Sequence, residues 1–124
     1  MFKTSRLAAL VLTAVSVAAV YAADAPAKLS DGALVDAKGM TLYTFDKDAA
    51  NSGKSACNGP CASLWPPAMA GASDQPSGAF GILTRDDGAK QWSYKGKPVY
   101  TYQADKVGER SGDNFKDVWH IIKE

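Results

Sequence analysis

Cys57 and Cys61 are the only cysteines of this 124-residue chain, and His120 is its only histidine. The side chains that bind metals, relay protons or attack carbon are therefore few. An even cysteine count in an oxidising compartment reads as a disulfide. Closing so short a loop contributes only about 2 kcal/mol on a chain-entropy estimate. Its role would be local, pinning the Asn58-Gly59-Pro60 turn to the residues that follow. A redox-active dithiol is the alternative, because a cysteine near a helix N-terminus can have a lowered pKa. The C-x3-C spacing departs from the two-residue spacing of redox motifs. A zinc site would need a second Cys or His pair, and none exists.

The remaining polar candidates sort in the same way. His120 sits on a strand-like stretch, on the face of Val118 and Ile122 and opposite Trp119 and Ile121. It reads as a structural or surface histidine, with a binding or pH-responsive role as the alternative. Asp46, Asp48 and Asn51 imitate the start of a calcium loop, but Ala50 and Cys57 stand where ligands are needed and Lys47 opposes the charge. Asp48 and Asp105 are expected to bond nearby backbone N–H groups where strands end. No G-x-S-x-G elbow and no glycine-rich phosphate loop is present. Thirteen acidic residues do not single out any pair for glycoside cleavage. No metal, cofactor or catalytic set is expected.

The N-terminus places Lys3 and Arg6 before an apolar run from Leu7 to Val20, followed by small Ala22 and Ala23. That order reads as a cleavable secretory signal over residues 1–22. The run is too short and too interrupted by Thr13 and Ser16 for a comfortable membrane span. No Cys follows it, so no stable membrane anchor is expected, and the product would be periplasmic or secreted. Removing Lys3 and Arg6 leaves twelve cations against thirteen anions, a net charge of −1. Such a domain has no electrostatic reason to seek nucleic acid.

Placing these residues is the task of an internal repeat. Residues 38–48 read KGMTLYTFDKD and residues 95–105 read KGKPVYTYQAD. At a shift of 57 positions, Lys38, Gly39, Tyr43, Thr44 and Asp48 meet identical residues at Lys95, Gly96, Tyr100, Thr101 and Asp105. Trp65 and Trp119 follow at similar distances. We read residues 23–30 as a flexible lead-in and 31–124 as one domain of two repeats, about 31–70 and 79–124.

Each repeat reads as a β-hairpin rich in Tyr, Phe, Val and Thr. Ala33–Asp36 and Met40–Phe45 flank Lys38-Gly39, and Gln91–Tyr94 and Pro98–Gln103 flank Lys95-Gly96-Lys97. Phe80–Arg85 and Ala89–Tyr94 form a further hairpin around Asp86-Asp87-Gly88. Val118–Ile122 is the last strand. One short helical turn is expected over Cys61–Trp65, opened by Pro60 and ended by Pro66-Pro67. Alternation points Tyr43 and Phe45 one way and Leu42 and Thr44 the other, and neither face is polar. The fold class is mainly β: two tandem hairpin or meander repeats, with the motif aromatics packed at their junction.

Tyr43-x-Phe45-x-x-Asp48 and Tyr100-x-Tyr102-x-x-Asp105 both fit the pattern Y-x-[FWY]-x-x-D. With the segments Cys57–Pro67 and Asp117–His120, the chain resembles a bacterial secreted-repeat family of unknown function, described as predicted lipoproteins bearing that motif. The resemblance covers most of residues 31–122. It implies an exported two-repeat domain and supplies no catalytic residues. The chain departs from the lipoprotein description in lacking the anchor cysteine.

The expected function is a non-enzymatic binding or interaction module of the cell envelope or exterior, taking a small molecule or a protein. Tyr43, Tyr100, Tyr102 and His120 are the candidates to line a groove, with burial in the core as the competing role of such aromatics. A redox or electron-transfer role for Cys57 and Cys61 is the alternative.

Overall fold

The computed structural model describes residues 26–123; the signal reading of residues 1–22 lies outside them. The first element is a hairpin of β1 (Ala27–Ser30) and β2 (Ala33–Asp36), in which Ser30 faces Ala33. Asp31 and Gly32 close it with φ of 51° and 82°. A two-residue turn with positive φ at both positions matches the right-handed twist of the strands. This corrects the flexible lead-in assigned to residues 23–30, whose last four residues are β1.

Four further strands and two short helical segments follow before the last strand. They are β3 (Tyr43–Phe45), α1 (Pro60–Leu64), β4 (Phe80–Thr84), β5 (Lys90–Tyr94), β6 (Lys97–Pro98), a 3-10 turn (Phe115–Asp117) and β7 (Trp119–Ile121). The helical turn forms where expected: Gly59 precedes it, Pro60 opens it, and Pro66 follows its Trp65 cap. β4, β5 and β6 form one antiparallel sheet, and β3 pairs with β7.

The runs 40–45 and 98–103 are not continuous hairpin strands. Leu42 still donates its N–H to the Leu34 carbonyl at 3.0 Å, but Tyr43 turns to the other repeat. There Tyr43 and Tyr100 exchange backbone bonds of 2.8 and 3.0 Å. Tyr43 also faces Ile121, while Tyr100 faces Pro67. Leu34 bonds to Ile122, and Trp92 bonds to Ala68. The tail of each repeat thus supplies strand pairing to the other, covering edges that a lone hairpin would leave open. The result is a reciprocal exchange around the Tyr43–Tyr100 contact.

The hairpin turns obey the same exchange. The Gly96 carbonyl accepts Asn51 N–H at 2.8 Å, and the Gly39 carbonyl accepts Gly108 N–H at 3.2 Å. Gly96 has φ 86°, and a Cβ there would overlap the Asn51 side chain and reach its backbone N at 3.0 Å. Its lack of a side chain is required twice over.

Strand alternation divides the interior into two cores. Ala27, Leu34, Leu42, Tyr94, Val99 and Ile122 form one. Tyr43, Phe45, Cys57, Trp65, Tyr100 and Trp119 form the other. Both faces of the motif strands are therefore covered, as the absence of a polar face predicts.

Candidate functional site

The motif residues build the centre of the second core. Phe45, Trp119, Trp65 and Tyr102 lie in one stack, with successive ring centroids 4.2, 3.9 and 4.3 Å apart. The central Trp65–Trp119 pair, one indole from each repeat, is tilted by only 4°. Tyr43 meets Trp65 edge-on at 5.3 Å, and Tyr100 meets Trp119 in the same way at 5.1 Å. Edge-to-face and stacked contacts are the arrangements that ring quadrupoles favour.

Both motif tyrosines aim their hydroxyls at the aspartate of the opposite repeat. Tyr43 Oη donates to Asp105 Oδ2 at 2.5 Å, and Tyr100 Oη donates to Asp48 Oδ2 at 2.6 Å. The second carboxylate oxygens hold loops: Asp48 Oδ1 accepts Ala56 N–H at 2.6 Å, and Asp105 Oδ1 accepts Ser111 N–H at 3.0 Å and the Ser111 hydroxyl. Burial and the adjacent carboxylate together push both phenols above their ordinary pKa of 10.0, because a phenolate there would be desolvated beside an anion. These four side chains lock the halves together.

An arginine outside the motif extends one lock. Arg85, only 5% exposed, donates to Ser55 Oγ at 3.1 Å, Gln91 Oε1 at 2.7 Å, the Cys57 carbonyl at 2.6 Å and Asn58 Oδ1 at 3.1 Å. Ser55 Oγ lies 2.6 Å from Tyr100 Oη. The guanidinium therefore ties the end of β4 to the cysteine loop and to the Tyr100–Asp48 pair. Nothing in the sequence around Arg85 marks it as buried, so no local signal singles it out. Cys57 and Cys61 are joined in a disulfide; Cys57 is fully enclosed and Cys61 is half-buried against the ring stack.

The groove expected from Tyr43, Tyr100, Tyr102 and His120 is not assembled. Tyr43 and Tyr100 are 0% exposed, since their rings fill the core and their hydroxyls are consumed by Asp105 and Asp48. Tyr102 packs on Trp65. His120 bridges the repeats at the surface, with Nε2 3.0 Å from Asp46 Oδ2 and Nδ1 3.2 Å from Asn114 Oδ1. None of the four lines the groove described next. Among the described residues, no three His, Cys, Asp or Glu side chains gather as a metal-ligand set.

An open groove of about 490 Å³ lies elsewhere, between the Asp36–Lys38 turn and residues 67–74. Trp92 of β5, half-buried against the first core, is one of the residues that line it. Asp36, Lys38, Asp74 and Thr101 bring polar groups, and Met69 brings an exposed apolar side chain. Asp36 Oδ1 is held by the N–H groups of Lys38 and Met40 at 2.8 and 3.0 Å, and Asp74 Oδ2 by Gly71 N–H at 2.7 Å. Trp92 occupies the place that Leu34 takes in the first repeat: Val99 N–H bonds to the Trp92 carbonyl as Leu42 N–H bonds to that of Leu34. Leu34 is buried. The available sequence signal was this asymmetry, a third tryptophan without a counterpart.

Among the described residues, no helix is long and apolar enough to cross a membrane. No curated protein and no solved structure matches the chain. A family model described as a secreted repeat of unknown function matches residues 26–69 and again residues 81–123. The two matches are the two interlocked halves and together span more than half of the sequence, so the chain belongs to this family of secreted repeats.

Proposed function

We propose that this exported domain is a binding module that receives a small molecule in the groove at Trp92. The observation that carries this reading is the break in symmetry. A buried leucine in one half becomes a half-buried tryptophan beside a polar-rimmed groove in the other. An indole beside an open groove can offer a large apolar contact at little entropic cost. The motif residues serve as scaffold in this account, because their polar atoms are committed to one another.

The test uses the three indole N–H resonances of the intact domain. Compounds from a panel of sugars, amines and short peptides are added singly. A ligand of this groove shifts the Trp92 signal, leaves the stacked Trp65 and Trp119 signals in place, and loses affinity on Trp92→Leu. Binding that Trp92→Leu leaves unchanged would place the site elsewhere.

A further inference from the structure

Resting on the Trp92 groove as the binding site, we infer that its ligand is a neutral glycan: one pyranose ring, or two or three linked ones. A pyranose presents a flat apolar C–H face and an equatorial ring of hydroxyls, each able to donate and accept. The groove offers the complement, an indole with carboxylates, an ammonium and a hydroxyl around it. Asp36 and Asp74 each have one oxygen anchored by backbone N–H groups. Their second oxygens make no hydrogen bond among the described residues, so each is a held acceptor for a donor from outside. Lys38 donates, and Thr101, whose hydroxyl donates to the Pro66 carbonyl at 3.3 Å, retains its acceptor lone pairs.

Charge narrows the class further. Two carboxylates against one ammonium disfavour phosphate, carboxylate or sulfate ligands. The same net charge of −1 attracts a cation, so a polyamine is the competing class that the salt dependence must separate. A neutral polyol meets no repulsion and uses both signs of group, the carboxylates as acceptors and the ammonium as a donor. The volume, about 490 Å³, lies in the range of small-molecule sites.

Three probes decide the matter on the full processed protein: the trimer of N-acetylglucosamine, maltotriose, and spermidine, each followed by indole resonances and by calorimetry at low and high salt. We expect at least one trisaccharide to move the Trp92 signal with an affinity that changes less than about twofold between 50 and 500 mM salt, since a neutral ligand releases no ions. Trp92→Leu, which installs the residue the other half already uses, weakens that binding by at least about tenfold. A retained cooperative unfolding transition, with the Trp65 and Trp119 signals in place, separates a lost site from a lost fold. If spermidine moves Trp92 with salt-sensitive affinity and neither saccharide does, the glycan assignment is wrong while the groove stands. If a saccharide binds and Trp92→Leu leaves its affinity intact, the groove itself is wrong. If no saccharide binds at millimolar concentration, the glycan assignment is likewise overturned.

Discussion

Tyr43 and Tyr100 are the residues on which the interlock depends, and each can be deleted by one oxygen atom. Tyr43→Phe leaves Asp105 with only its Ser111 contacts, and Tyr100→Phe removes a shared partner from Asp48 and Ser55. A buried hydrogen bond to a carboxylate is worth about 1.5–3 kcal/mol, and each variant should lose about that much in denaturant unfolding. Alkaline pH probes the same bonds. Both phenols have raised pKa values in the folded state, so their stabilising contribution is complete below the unfolded value of 10.0. Above it the unfolded chain releases these protons while the folded chain holds them, and stability falls as pH rises. The unfolding midpoint should therefore decline from about pH 10 upward, and the decline should be shallower in either Phe variant. Gly112 carries a steric counterpart of this constraint. A Cβ there would come within 2.6 Å of the Trp65 ring. Gly112→Ala should cost about 1–3 kcal/mol by overpacking, measured in the same unfolding assay.

Among the elements, Arg85 and the cysteine loop carry most of the cross-linking. Arg85 places two nitrogens on four acceptors spread over the loop and β5. A lysine keeps the charge but has one nitrogen and no fork. Arg85→Lys should therefore lower stability nearly as much as Arg85→Met, since several buried acceptors are orphaned in either case. Thermal melts of the two variants compare them directly. The buried side of the disulfide, Cys57, also has its carbonyl held by Arg85. Much of this level was legible beforehand. The hairpin at Asp86-Asp87-Gly88, the helical turn opened by Pro60 and the last strand were all marked by local residues. The β1–β2 hairpin had a marker too, Asp31-Gly32, but the small, polar, Pro-containing stretch before it reads as a lead-in. The departure of Tyr43 from its own hairpin had no local marker. It depends on which edge is left open by a segment 57 or more residues away, and strand periodicity carries no information about that.

For the whole molecule, the repeats amount to two copies of one half-structure joined by an exposed connection over residues 71–79. The pairings Tyr43–Ile121 and Tyr100–Pro67 do not require the two halves to belong to one chain. Shortening residues 71–78 to two glycines should stop one chain from closing on itself. The product should be a dimer in which repeats are exchanged, seen as a doubled native mass with an unchanged circular-dichroism spectrum. The repeat explains why the motif was visible in the sequence and the binding groove was not. Repetition preserves what both halves need, namely the Tyr–Asp locks and the indole stack. A site present once appears instead where the copies diverge, as Leu34 and Trp92 do. The motif aromatics, read as groove candidates with the core as the competing role, fill the core, and the groove lies at Trp92, where the copies diverge.

The most direct test sets Tyr43→Phe and Trp92→Leu side by side, measuring for each the unfolding free energy and the affinity for the trisaccharide that shifts Trp92. A crossed result is expected. Tyr43→Phe loses stability and keeps its affinity, whereas Trp92→Leu stays cooperatively folded and loses its affinity. A folded Tyr43→Phe protein that no longer binds, beside a Trp92→Leu protein that still does, would contradict it and make the motif the site.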